Sequence, residues 1–385
     1  MTAAYVLGGL RTPYGRYNGA LAGYDTMALA GTSLRALRER HPGVSDADGA
    51  LFAMVMQAGH GPNPARTALY RSGLGAEIPA TTLNNACLAG VDSVVDATRR
   101  VERDEGHLYL VGGFDSSSRA AQVAPPGEQP RSALEHDSLL DHISGLSMAE
   151  LSDRRNTALD IAREEQDAWA VESHLRASRA DLASTGELAP LPRWSDPASG
   201  PEQDVLATDE GIRPNSDPDK LASLTPLFEG GTITAGNASQ ISDGAAVGLV
   251  GTLAAAERHS LRPLARIAGW GYSAGPTSSL HEQPGNATRD LLKRTGLDVA
   301  DIDLFEINEA FAGVVIHACR ELGISADRVN PNGGAIALGH PYGGTGFRLV
   351  LTCALELRRR GLRRGVATLC GGGGQGIAVL LDQDL

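Results

Sequence analysis

The sequence predicts an α/β protein. Strand-like and helix-like patterns alternate along both flanks of the chain. Glycine is frequent, at 47 residues, while aromatics make up only 4%, which favours close helix–sheet packing and tight turns. A length of 385 residues exceeds one core of ~150 residues, so two or three domains are expected. With 42% hydrophobic and 21% charged residues, the chain is neither disordered nor collagen-like nor a membrane bundle.

The first strand is expected at residues 5–7. The stretch 1–9 around it has no basic n-region and does not read as a signal peptide. Met27, Ala30, Leu34 and Leu37 then recur at helical spacing, as do Val91, Val94, Val95, Thr98 and Val101. A strand is expected at 108–111. Residues 116–240 change character: Pro125-Pro126-Gly127 and polar, Pro/Asp-rich turns up to Pro218 surround one expected helix over 163–183. This middle region reads as a loop-rich insertion. Alternation resumes after Ile241. The longest nearly apolar run, 245–256, is short of the ~18 residues that a membrane span needs.

The two flanks look like copies of one unit. Cys87 is followed by Gly90, a helix, a charged turn and the strand 108–111 ending in Gly112-Gly113. His340 is followed by Gly343-Gly344, a helix marked by Phe347, Val350, Leu351, Ala354 and Leu355, a basic turn, and the strand 366–369 ending in Cys370-Gly371-Gly372. A duplication would set Cys87 and His340 at corresponding helix starts. Chance likeness of two strand–helix units is the competing explanation.

The formal charge of -12 argues against a nucleic-acid partner, which needs a basic footprint. An anionic small ligand would need a local basic pocket. The four cysteines, Cys87, Cys319, Cys353 and Cys370, form no CxxC pair and no disulfide framework. They suit reduced thiols in a cytoplasmic protein.

Cys87, in Asn84-Asn85-Ala86-Cys87-Leu88-Ala89-Gly90, precedes an expected helix, whose free N–H groups and dipole favour an anion. A thiol there is expected to have a lowered pKa and to act as a nucleophile, although a buried structural Cys fits the same local sequence. His340 lies in a Gly- and Pro-rich turn, and Pro341 biases it away from the α region. It suits the base partner of a Cys nucleophile, and equally a satisfied core His. Cys370 precedes Gly371-Gly372-Gly373-Gly374-Gln375-Gly376 and then a strand-like run, so a hairpin beside a ligand is expected, not a dinucleotide fingerprint. Cys319 and Cys353 read as helical core. Arg358-Arg359-Arg360 complements a helix C-terminus. Asn308, after the strand-like 303–307, either holds a water or substrate carbonyl or caps the next helix.

Taken together, these segments resemble the thiolase family nearly end to end. The opening Arg11-Thr12-Pro13-Tyr14-Gly15-Arg16, Cys87, Gly236-Asn237-Ala238-Ser239, Asp243-Gly244-Ala245-Ala246, Asn308-Glu309-Ala310-Phe311, Gly339-His340-Pro341 and residues 370–376 match in order and spacing. A Cys at 370 also separates thiolases from the related ketosynthases, which have a second His there. The resemblance implies a duplicated thiolase-like fold, two mixed-sheet α/β halves in a layered helix–sheet–helix–sheet–helix arrangement with an inserted loop domain. The expected segments are 1–115 with the nucleophile Cys, 116–240 as the CoA-binding loop domain with the return into the first half, and 241–385 with the His and second Cys.

The resemblance further implies Cys87 as nucleophile, His340 as its base, Cys370 as the base at the α-carbon, and two oxyanion holes. One would use His340 and a water on Asn308, the other the backbone N–H groups of Cys87 and Gly372. Arg213, in Asp209-Glu210-Gly211-Ile212-Arg213-Pro214, and Lys220 are expected near the CoA nucleotide, with Ala235 and Ser239 along the pantetheine channel. The expected reaction is condensation of two acetyl-CoA to acetoacetyl-CoA, or its reversal. The alternatives are a degradative 3-ketoacyl-CoA thiolase for longer acyl chains and a silent acyl-CoA binder. The expected partners are acyl-CoA and CoA, with no metal or redox cofactor, no nucleic acid and no membrane, in a cytoplasmic homodimer or homotetramer. Three departures from the family pattern are expected to border the acyl pocket: Cys87-Leu88-Ala89-Gly90, Ser144 with Gly145-Leu146-Ser147-Met148-Ala149-Glu150, and Glu282-Gln283-Pro284-Gly285-Asn286-Ala287.

Overall fold

A computed structural model describes every residue except Met1, Ala76, Pro125, Glu128 and Leu385, so the first residue of the Pro-Pro-Gly turn lies outside the described residues. The principal strands of the first half are β1 (Tyr5–Arg11), β2 (Gly49–Ala53), β3 (Ala80–Leu83), β4 (Leu108–Ser116) and β5 (Ser242–Gly251). Those of the second are β6 (Ala265–Ala274), β7 (Leu304–Ile307), β8 (Arg364–Gly371) and β9 (Gln375–Asp382). The helices between and around them are α1 (Thr26–Arg40), α2 (Pro64–Ser72), α3 (Ala89–Glu102), α4 (Met148–Ala158), α5 (Arg163–Arg179), α6 (Gln283–Thr295), α7 (Ala312–Leu322) and α8 (Tyr342–Arg360).

Strand pairing bears out the duplication. The first half runs β1-β5-β4-β2-β3, antiparallel at β1·β5 and β5·β4, then parallel. The second runs β6-β9-β8-β7 with the same alternation, closed by a parallel bridge from Phe305 to Val329 where the first half has β3. Two pairings set how the halves meet. Tyr5 and Val6 of β1 pair with Arg266 and Ala265 of β6, joining the two mixed-sheet halves edge to edge. And β5, assigned by sequence to the segment 241–385, hydrogen-bonds to β1 and β4 and completes the first half.

The layers follow from which faces are apolar. Leu29, Ala30, Leu34 and Leu37 of α1, with Leu69 of α2, pack on one face of the first half. Val91, Val94 and Val101 of α3 and Phe347, Val350 and Leu357 of α8 form a central layer that touches strands of both halves. Leu291 of α6 and Val315 of α7 cover the outer face of the second half. With helices on both faces, β4 and β5 are buried along their whole length, which is why they read as apolar runs, not alternating ones.

Residues 116–240 hold more helix than expected. The helix over 163–183 ends at Arg179, with Ala180 extended. A second helix, α4, was not expected because its buried face is polar: Ser152, Asp153 and Asn156. Its start carried a signal nonetheless. Ser147 caps Glu150 N–H at 3.1 Å in a Ser-x-x-Glu pattern. The insertion is tied down by buried charge. Arg11 of β1 binds Glu187 at 2.6 Å and Asp209 at 2.6 and 2.9 Å, all three fully or nearly fully buried. Glu309 accepts from Trp169 and Ser173 of α5, from Asn330 and from the Ile336 N–H.

Candidate active site

The turn before α3 presents Cys87. Ala86 adopts a left-handed φ of 48°, steadied by its N–H donating to the Asn84 side chain at 3.1 Å. Leu88 and Ala89 donate to the carbonyls of Asn85 and Ala86, so the chain enters α3 directly after the thiol. His340 stands at the corresponding place before α8. Its N–H donates to Gln240 O at 3.0 Å, and it bridges to Ile241. The two helix starts meet: a Cβ at Gly90 would lie 2.8 Å from Gly343 O and 3.0 Å from Gly346 Cα.

The second half supplies the other groups from the ends of neighbouring parallel strands. Asn308 extends β7, its N–H donating to Thr368 O of β8 at 3.0 Å. Cys370 lies near the end of β8, just before the turn into β9, where Gly373 and Gly374 take φ of 79° and 71°, values that favour glycine. The expected hairpin is therefore present. The alternative reading of Asn308 as a helix cap is not met: α7 begins at Ala312 with Phe311 in the capping position, and Asn308 lies outside the helix start. The segment around the Gly-Asn-Ala-Ser motif runs beside this loop, with Ser239 N–H on Ala310 O and the Ala312 N–H on Asn237 O.

These elements enclose a cavity of about 660 Å³ lined by Cys87, His340, Cys370 and Gly372, and also by Ala235 and Ser239. Asn308 is buried behind His340. Arg213 and Lys220 are exposed and do not line the cavity. Arg213 lies two residues from Gly211, whose carbonyl accepts from the cavity-lining Gln240 at 3.1 Å. Of the three sequence departures, Cys87 itself and Ser147, Met148 and Ala149 reach the cavity. Ala89 is sealed within α3, Ser144 bonds Asp141, and Glu282 pairs with Arg155. Cys353 is buried as expected, while Cys319 is only half-buried.

Electrostatics correct one expectation. Burial pushes the Cys87 thiol up to about 12, outweighing its N-terminal position before α3. Burial likewise raises the Cys370 thiol, with Cys87 adding to the effect. Burial, and then Arg348, lowers His340 to about 3. Thiol and imidazole are thus both neutral at rest.

Thr345, in the first turn of α8, was not singled out by sequence. Its hydroxyl donates to Pro341 O at 2.8 Å and accepts from His340 Nδ1 at 2.7 Å. The Asn308 amide N–H approaches Nε2 at 3.4 Å. In this network Nδ1 carries the proton and Nε2 keeps a lone pair. Asp115, equally unforeseen, gathers the N–H groups of Val55, Met56 and Gly343 at 2.8 to 3.1 Å and so fixes the backbone next to both helix starts.

A model of the thiolase N-terminal domain matches residues 4–253, and one of the thiolase C-terminal domain matches residues 261–383. A probable acetyl-CoA acetyltransferase of Mycobacterium leprae (strain TN) is 39% identical over 393 residues, covering 99% of each chain. A beta-ketoadipyl-CoA thiolase of Pseudomonas putida is 37% identical over 403 residues, covering 100% of each. The crystal structure of the Bacillus anthracis acetyl-CoA acetyltransferase superposes with a TM-score of 0.92 at 29% identity, covering 99% of each chain.

Proposed function

The chain belongs to the thiolase family, and from that premise we propose that it catalyses the reversible Claisen condensation of two acetyl-CoA to acetoacetyl-CoA and CoA. The observation that carries this reading is the meeting of Cys87, His340 and Cys370 on one cavity. Because Cys87 and His340 both start neutral, proton transfer to Nε2 accompanies attack of the sulfur on the thioester carbonyl. CoA leaves as its thiolate and takes the Cys370 proton, so that Cys87 is left acetylated, His340 protonated and Cys370 as the thiolate. A second acetyl-CoA enters. The thiolate of Cys370, made strongly basic by burial, removes a proton from its methyl carbon. The enolate then attacks acetyl-Cys87 and releases acetoacetyl-CoA. Thiolysis runs the same steps backwards.

Each oxyanion needs a donor aimed at it. The backbone N–H groups of Cys87 and Gly372 would serve the acyl-enzyme. Protonated His340, with a water on Asn308, would serve the enolate. Asn308 Oδ1 is buried and takes no hydrogen bond from a described residue, which supports a water there. Arg213 and Lys220, both exposed, would meet the CoA nucleotide outside the cavity, while Ala235 and Ser239 would line the pantetheine arm. The chemistry calls for CoA thioesters and no further cofactor. Strand β3 lies at the sheet's edge with Thr81 exposed, which supports a homodimer or homotetramer. Among the described residues no helix is long and apolar enough to cross a membrane.

Likeness to beta-ketoadipyl-CoA thiolases favours a second reading, thiolysis of longer 3-ketoacyl-CoA esters. One experiment tests the shared chemistry. Incubation with acetyl-CoA should leave one acetyl group, found on the Cys87 peptide by mass spectrometry. Acetylation of another residue, or none, would leave only acyl-CoA binding without turnover.

A further inference from the structure

Two apolar clusters line the cavity, one packed against each thiol. Around Cys370 lie Leu280, Phe311, Met148 and Ala238. Around Cys87 lie Val55, Leu139, Ile241 and Tyr342. On the thiolase reading, the pantetheine arm runs past Ser239, next to Ala238 on the Cys370 side. The Cys87 side is then left for the acyl chain carried by the nucleophile.

Tyr342 is the bulkiest side chain among those on that side. It is the first residue of α8 and only 5% exposed. Its ring stands edge-on to His340, with centroids 5.0 Å apart at 75°, so it cannot swing away without disturbing that imidazole. Behind it the core is closed by Met56, Ala133 and Leu134, leaving no room for the ring to retreat. Burial first, and then nearby Cys87 and Asp115, raise the Tyr342 phenol, which sets this side chain beside the nucleophile.

We propose that Tyr342 is the specificity-determining residue that ends the acyl pocket and restricts the enzyme to short acyl groups. This inference rests on the thiolase reading of the same cavity. It adds to the sequence departures, of which Ser147, Met148 and Ala149 also line the cavity. Each extra methylene that an apolar pocket accepts or refuses changes kcat/KM by about 10- to 200-fold.

The test is thiolysis of 3-ketoacyl-CoA esters of four, six and eight carbons by the full chain and by Tyr342→Phe, Tyr342→Leu and Tyr342→Ala. Using the ratio of kcat/KM between chain lengths removes any general loss of rate. Tyr342→Ala should raise the six-to-four-carbon ratio at least ~10-fold. Tyr342→Leu should raise it less, and Tyr342→Phe should leave it unchanged. If Tyr342→Ala does not fold, Tyr342→Leu carries the comparison. Unchanged ratios in the Leu and Ala variants, or an equal shift in Tyr342→Phe, would overturn the proposal. A wild-type chain that does not acetylate Cys87 would instead overturn the thiolase reading beneath it.

Discussion

At the scale of single residues, the site pairs a reluctant acid with a reluctant base. Cys87 and His340 were legible because each stands just before an expected helix, His340 in a turn dense in glycine and proline. The thiol's pKa was not legible. The helix-start rule counts unpaired N–H groups, whereas the sulfur's pKa depends on burial against residues as distant in sequence as Val55 and Tyr342, and then on the charge of Asp115. Thr345 was hidden for a similar reason: it reads as one more residue of an apolar helix until α8 places it under the imidazole. We predict that His340 stays neutral, with the proton on Nδ1, from pH 8 down to pH 5. Nitrogen-15 NMR of the labelled protein should show no titration in that window, because the native imidazole is lowered to about 3. A midpoint near the ordinary value of ~6.5 would contradict this. Thr345→Val should shift the tautomer signal and slow acetylation of Cys87 by ~10–10²-fold, as loss of an outer hydrogen bond to a functional His does elsewhere. Thr345→Ser should restore both, which a purely steric role for Thr345 would not explain.

At the scale of elements, α3 and α8 decide where the two chemical groups meet. Their paired starts were readable as a repeat. Their contact was not, because it depends on three glycines far apart in sequence. A Cβ at Gly346 would lie 2.5 Å from Val91 N, and the Gly90 approach to Gly343 and Gly346 is nearly as close. All of these are backbone contacts, so no side chain can turn aside to relieve them. Gly90→Ala should therefore destabilise the fold by about 1–3 kcal/mol, the usual cost of overpacking. Thermal unfolding should show a lower Tm, and the acetylation rate of Cys87 should fall because His340 moves with α8. A Tm equal to or above the wild type would mean that the helices part without cost. The opposite case is α4. Its polar buried face gave no hydrophobic period, and only the Ser147 cap marked it.

At the scale of the whole molecule, duplication explains why the site lies where it does. Each half offers one helix start, and the sheet junction at β1·β6 faces these starts toward each other across the central layer. The second half adds the ends of β7 and β8, and with them Asn308 and Cys370. The order of motifs along the chain made most of this arrangement readable. The joining of the sheets and the membership of β5 were not, since both depend on pairings between strands more than a hundred residues apart. The central claim is a division of labour: Cys87 carries the acyl group, and Cys370 moves the proton. Single-turnover kinetics of Cys370→Ala with acetyl-CoA tests it most directly. The variant should still form acetyl-Cys87, while condensation and exchange of the acetyl methyl protons with solvent deuterium fall by ~10²–10⁴-fold. Condensation and exchange at the wild-type rate in Cys370→Ala would contradict the account and assign the α-proton to another base.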